Sequence, residues 1–155
     1  MSDLLVNLYD IPEIPQLQDG IKIKRACPTD ISKIIQFVRD EFCEGWANEC
    51  SRALHNSPVS CFIAVKDKKI IGFACYDATA KGFFGPIGLL KTERGNKTGS
   101  ALLLSCLHAM RNDGYAYAVV GWAGDAFPFY KKAANAIMIP NWSPIKSIYS
   151  NMIEI

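Results

Sequence analysis

Phe83-Phe84-Gly85-Pro86-Ile87-Gly88-Leu89-Leu90 leads through the polar stretch Lys91-Thr92-Glu93-Arg94-Gly95-Asn96-Lys97 into Thr98-Gly99-Ser100-Ala101-Leu102. The first piece is apolar and reads as a strand. Its glycines and proline weaken a regular ladder, so a bulge or a splayed edge is expected in it. From Thr98 to Asn112, Ala101, Leu104 and Leu107, with Cys106 or Met110, recur along one side, which marks a helix. Gly114 just beyond suits a left-handed C-terminal cap. Tyr115 to Trp122 is again strand-like and apolar. Strand, helix and strand in this order form a crossover between parallel strands, so the domain is mixed α/β.

The rest of the chain extends that unit. Ile21 to Ala26 alternates apolar and basic residues and reads as a strand. Pro28-Thr29-Asp30 punctuates it, and Thr29 or Asp30 can cap a following helix. Ile31, Ile34, Ile35, Val38 and Phe42 supply that helix with an apolar face. A second helix covers Trp46 to His55. Val59 to Val65 and Ile70 to Tyr76 form a hairpin around Lys66-Asp67-Lys68-Lys69. A short helix follows near Ala126 to Ala134, and β-like pieces lie near 136–139 and 148–153. The expected order is β-α-α-β-β-β-α-β-α-β-β over residues 20–155. Residues 1–19, with Pro12 and Pro15, read as an arm that packs on this body.

Composition narrows the function. The 155 residues are 50% hydrophobic and 21% charged, which fits one folded domain. A net charge of +2 gives no argument for nucleic acid. No apolar run reaches the ~18–20 residues of a membrane span, and Met1-Ser2-Asp3 has no basic leader. The six cysteines form no Cys-x-x-Cys pair, and His55 and His108 are the only histidines. No metal is therefore expected, and the thiols are expected reduced in a cytoplasmic protein.

The charge is uneven. Residues 1–19 hold four acidic side chains and no basic one, whereas residues 66–97 hold seven basic and three acidic. Lys66, Lys68 and Lys69 belong to a solvated turn. Arg94-Gly95-Asn96-Lys97-Thr98-Gly99-Ser100 is different, because it opens a helix directly after a strand. Such a turn aims several backbone N–H groups at one point and suits a phosphate or pyrophosphate. It is not a P-loop, since Lys91 and Asn96 stand where glycines are needed, and no Gly-x-Gly-x-x-Gly is present.

With these residues the chain resembles the GNAT superfamily of acyl-CoA N-acyltransferases, whose signature is Arg/Gln-x-x-Gly-x-Gly/Ala. Arg94 takes the first place and Gly99 the last, while Lys97 replaces the middle glycine. Phe129-Tyr130-Lys131-Lys132, with Ala126 four residues before Tyr130, also resembles the family pattern. Asn135 stands where the family often has glycine. The likeness covers about residues 20–140. It implies a GNAT-like α/β domain whose sheet splays between the strands read as fourth and fifth.

The resemblance further implies acetyl-CoA as co-substrate. Its pyrophosphate would lie on Arg94, Gly95, Asn96, Lys97, Thr98, Gly99 and Ser100, with contacts re-aimed by Lys97. The pantetheine would pair with Ile87, Gly88 and Leu89, and an N–H freed by a bulge near Gly88 would polarise the thioester carbonyl. Tyr130 would protonate the leaving sulfur. The base stays open among Asp77, Asp125, Glu41 and Glu44. Glu41, Glu44, Trp46 and Trp122 would receive a cationic amine of a small molecule or peptide, by charge and cation–π contact. The family often forms homodimers. A non-catalytic acyl-CoA-binding or protein-interaction domain is the alternative reading.

Overall fold

The computed structural model describes all 155 residues. Seven strands, β1 (Leu4–Asn7), β2 (Ile21–Arg25), β3 (Cys61–Lys66), β4 (Lys69–Tyr76), β5 (Phe83–Leu89), β6 (Tyr117–Val120) and β7 (Ile137–Met138), form one sheet. Their spatial order is β2-β3-β4-β5-β6-β1-β7. Four helices, α1 (Ile31–Glu41), α2 (Glu44–His55), α3 (Thr98–Asn112) and α4 (Phe127–Ala134), complete the fold. Every neighbouring pair is antiparallel except β5 and β6, which α3 connects in parallel.

The sheet separates two apolar cores. One gathers Leu102, Leu103, Leu107 and Met110 of α3 with Ile71, Phe84, Ala118 and Tyr130. The other gathers Ile34 and Val38 of α1, Ala47, Cys50 and Ala53 of α2, and Cys61, Phe73 and Cys75. Burial on both faces explains why β4 reads as nearly continuous apolar sequence rather than alternating. The hairpin closes through Asp67 and Lys68, both at positive φ (50° and 63°), the left-handed pair that matches the strand twist.

Two features position the functional site. First, β5 and β6 pair only at Phe83–Val119 and Phe84–Val120, and no pairing continues beyond. The expected splay lies there. Second, Gly85 and Pro86 stand together opposite the single residue Cys75, which makes a bulge. The bulge is thus three residues earlier than the position near Gly88 read from the sequence. Proline has no N–H for the ladder, and Gly85 takes a φ of 122° that glycine tolerates, so the irregularity belongs at this pair.

The ends of the chain also differ from expectation. The arm enters the sheet as β1, between β6 and β7, with Leu4, Val6 and Leu8 fully buried. Only residues 8–20 run as a strap, held where the carbonyl of Pro12 meets His108 Nε2 at 2.8 Å. The observed order is therefore β-β-α-α-β-β-β-α-β-α-β. At the other end, Ile148–Asn151 forms a 3₁₀ turn instead of a strand. The Ser147 hydroxyl oxygen accepts the Tyr149 N–H and starts that turn.

Candidate active site

The turn after β5 has the properties of an anion cradle. The first hydrogen bond of α3 runs from Ala101 N–H to the Lys97 carbonyl, 2.9 Å. The N–H groups from Gly95 to Ser100 make no hydrogen bond within the protein. Lys97 adopts φ 63° and ψ 5°, the left-handed conformation that glycine would take most easily. The substitution therefore keeps the backbone path, and the Lys97 side chain, like that of Arg94, is exposed beside the free N–H groups. Thr98 is fully buried and its Oγ1 has no partner. A Cβ on Gly99 would only touch the Phe129 ring, at 3.7 Å, so nothing in the protein itself demands glycine there. Free donors, exposed cations and an orphaned hydroxyl fit a pyrophosphate. Asn135 likewise holds the left-handed conformation at the end of α4 (φ 55°), so both departures from the glycine pattern preserve their turns.

The edge of β5 assigns its own donors. Leu90 N–H donates to the Ile71 carbonyl, so in an antiparallel ladder Gly88 pairs with Phe73 in the same hydrogen-bonded sense. The Gly88 N–H therefore faces β4, and the N–H groups of Ile87 and Leu89 face the open edge. This corrects the expected role of Gly88. Its glycine has another cause, since a Cβ there would sit 2.5 Å from the Phe42 ring.

Where β5 and β6 part, a cleft of about 600 Å³ opens. Tyr130 of α4 lines it together with Phe84, Gly85, Pro86 and Ile87. The Tyr130 ring is 5% exposed and meets Phe84 and Phe129 edge-on. Burial, with a smaller contribution from Cys106, holds its phenol well above the ordinary tyrosine range. It keeps its proton at neutral pH, as a general acid must.

The residues expected at the acceptor site divide. Trp46 and Trp122 line the cleft; Glu41 and Glu44 do not. Glu44 instead pairs with Arg39 at 2.6 Å on the surface, and Glu41 is exposed. The carboxylate that reaches the cleft from α2 is Glu49, which the sequence reading missed. It lies three residues after Trp46, on the same flank of the helix. That spacing was the available signal, but it required the phase of α2, which the burial of Ala47, Cys50 and Ala53 sets. Thr79 Oγ1 donates to the Glu49 carboxylate. Burial raises the Glu49 carboxyl above the ordinary range and the Thr79 hydrogen bond opposes this.

Asp125 also borders the cleft. Asp77 does not: its carboxylate accepts Gly82 N–H at 2.8 Å and the Tyr115 hydroxyl at 2.9 Å, a structural role. Tyr149 and Met152 of the C-terminal turn close one side of the cleft. Trp122 stacks edge-on against Tyr149, with ring centres 5.0 Å apart. A Cβ on Gly121 would collide with the Tyr149 hydroxyl, so the bare backbone there makes room for this wall. Of the cysteines, Cys50, Cys61 and Cys75 bring three sulfurs within 4.8 Å, fully buried in the core beneath α2. No helix is long and apolar enough to cross a membrane.

Comparison with known proteins follows the same lines. No curated protein matches the chain. Among solved structures, the glucosamine N-acetyltransferase region, GCN5-related, of a fungal multi-domain GH3 β-N-acetylglucosaminidase aligns with a TM-score of 0.71 and 14% identity. A GCN5-related N-acetyltransferase from Sphaerobacter thermophilus aligns at 0.65 and 18%. Each alignment covers 89% of this chain, but only 19% and 48% of those longer chains. An aminoglycoside acetyltransferase from an uncultured soil metagenomic sample, solved with sisomicin, aligns at 0.53 and 16% over 74% of this chain and 88% of its own. At these identities the likeness concerns the fold. The acetyltransferase (GNAT) family model matches residues 31–134, from α1 through α4, and the chain belongs to that family.

Proposed function

We propose that the chain transfers an acetyl group from acetyl-CoA to a primary amine. One observation carries this reading: the free N–H row of residues 95–100 and the buried Tyr130 phenol flank the open edge of β5. The turn would bind the pyrophosphate through Arg94, Gly95, Asn96, Lys97, Thr98, Gly99 and Ser100. The N–H groups of Ile87 and Leu89 would hold the pantetheine arm, strand to strand. Acetyl-CoA supplies a thioester carbonyl, activated for attack by nitrogen.

The protein's own groups then handle protons. Glu49 takes one from the incoming ammonium, and the nitrogen becomes nucleophilic. Tyr130 gives one to the sulfur as the carbon–sulfur bond breaks and the amide bond forms. The nitrogen loses its second proton, so an ammonium and acetyl-CoA become an amide, CoA thiol and one released proton. The six free thiols suit a reducing, cytoplasmic compartment.

Thermal unfolding with millimolar acetyl-CoA, followed by thiol release with an amine panel, tests this. Ligand at a hundred times its dissociation constant stabilises the folded state by about 2.7 kcal/mol. A shift of a few degrees with amine-dependent thiol release supports the enzyme. A shift without release from any amine favours the non-catalytic acyl-CoA-binding domain.

A further inference from the structure

We infer that the acceptor is a small amine carrying its ammonium on a flat apolar body, without a carboxylate of its own. This rests on the N-acetyltransferase reading and adds the chemistry of the acceptor to it.

The cleft beyond Tyr130 is walled by Trp46, Trp122, Tyr149, Met152 and Phe84. Its charged side chains are Glu49 and Asp125; Met1, with its α-ammonium, also lines it, and no lysine, arginine or histidine side chain does. Glu49 is half-buried and forms no ion pair within the protein; its partner is the neutral hydroxyl of Thr79. A carboxylate withdrawn from water in this way favours a cation brought by the ligand. The aromatic faces around it reinforce that preference, because an ammonium over tryptophan or tyrosine gains about 0.5–2 kcal/mol as it is desolvated.

The same walls exclude other amines. An amino acid would bring its carboxylate beside Glu49 and Asp125 with no side-chain cation to receive it. An aminoglycoside or a polyamine would offer Trp46, Trp122, Tyr149 and Met152 little apolar surface to bury, and would forfeit about 1.5–3 kcal/mol of burial. The aromatic wall is also held in place. Trp122 keeps a left-handed backbone (φ 50°), and its N–H donates to Asp3 Oδ1 at 2.8 Å. A large residue in that conformation costs of order 1–3 kcal/mol, which the surrounding contacts must offset. Its indole is thereby fixed against Tyr149.

The test compares acceptors with the full chain and saturating acetyl-CoA. The probes are 2-phenylethylamine, L-phenylalanine, spermidine and sisomicin, read by thiol release. The expected kcat/KM for 2-phenylethylamine exceeds that for each of the others by at least about tenfold, as lost apolar burial or a carboxylate set beside Glu49 imposes. Trp122→Ala should raise the KM for 2-phenylethylamine about tenfold and leave the KM for acetyl-CoA unchanged. Comparable or faster turnover of phenylalanine, spermidine or sisomicin overturns this inference while the N-acetyltransferase reading stands. Binding of acetyl-CoA with no amine turned over overturns both. An unchanged KM in Trp122→Ala also overturns the inference, and retained acetyl-CoA affinity shows that the variant is folded.

Discussion

The two ends of the proposed active-site groove are built on opposite plans. The proposed cofactor end is one continuous stretch, residues 94–100, and its donors are unpaired backbone N–H groups. The acceptor end is assembled from side chains of α2, β5, the loop after β6, α4 and the C-terminal turn. Backbone donors tolerate change of side chain, provided that the path survives; Lys97 holding a glycine conformation is the example. A wall of side chains from distant elements has no such tolerance. A shared turn and a private wall are what a family needs when one co-substrate serves many acceptors.

Tyr130 sits at the junction, and its removal should have the largest effect. Tyr130→Phe should lower kcat by about 10²–10⁴-fold with unchanged acetyl-CoA affinity, since only the proton donor is lost. Thiol release and calorimetric titration check the two halves of that statement.

Glu49→Gln should act on the acceptor end alone. We expect kcat/KM for the amine to fall by about 10²-fold and acetyl-CoA binding to persist. As the proposed base, Glu49 would work only when deprotonated, so the parent should lose activity as pH falls through its raised pKa. The variant should lose that acidic limb in a pH–rate profile. Its stability should move the other way. A carboxyl raised in the folded state stabilises the fold below its unfolded pKa, and that contribution is lost as pH rises through the folded pKa. Replacing it by a neutral amide should therefore raise Tm at pH 7.

Gly121→Ala tests whether the wall is intolerant. The new Cβ must displace the Tyr149 hydroxyl, so the amine KM should rise about tenfold while the cofactor KM stays. The smallest effect belongs to the turn. Lys97→Gly relieves a left-handed side chain, so stability should rise by up to about 1 kcal/mol. Acetyl-CoA should bind a few-fold more weakly, with a shallower salt dependence, because one exposed cation is gone. Tighter binding in this variant would show that the lysine distorts the cradle.

What the sequence disclosed follows the same division. The turn's place between β5 and α3 was legible because its residues are adjacent. The α3 boundaries and the β5–α3–β6 crossover were legible from periodicity for the same reason. Glu49 was hidden because α2 carries acids at both Glu44 and Glu49, and packing alone decides which faces inward. Tyr149 was read as part of a strand, since an apolar segment shows no sign of the Ser147 hydrogen bond that curls it. The bulge was displaced because three of the residues from Gly85 to Gly88 disfavour a ladder, and only pairing with β4 singles out two. The Leu4-Leu5-Val6 segment was too short to reveal that it completes the sheet.

That strand has a consequence for how the molecule comes into being. β1 leaves the ribosome well before its partners, β6 and β7, which lie more than a hundred residues downstream. Until they emerge, an apolar strand waits unpaired, in a topology rich in long-range contacts that closes slowly. When it does pair, Asp3 reaches the Trp122 amide. Biosynthesis thus fixes the backbone at Trp122 with a residue made long before it.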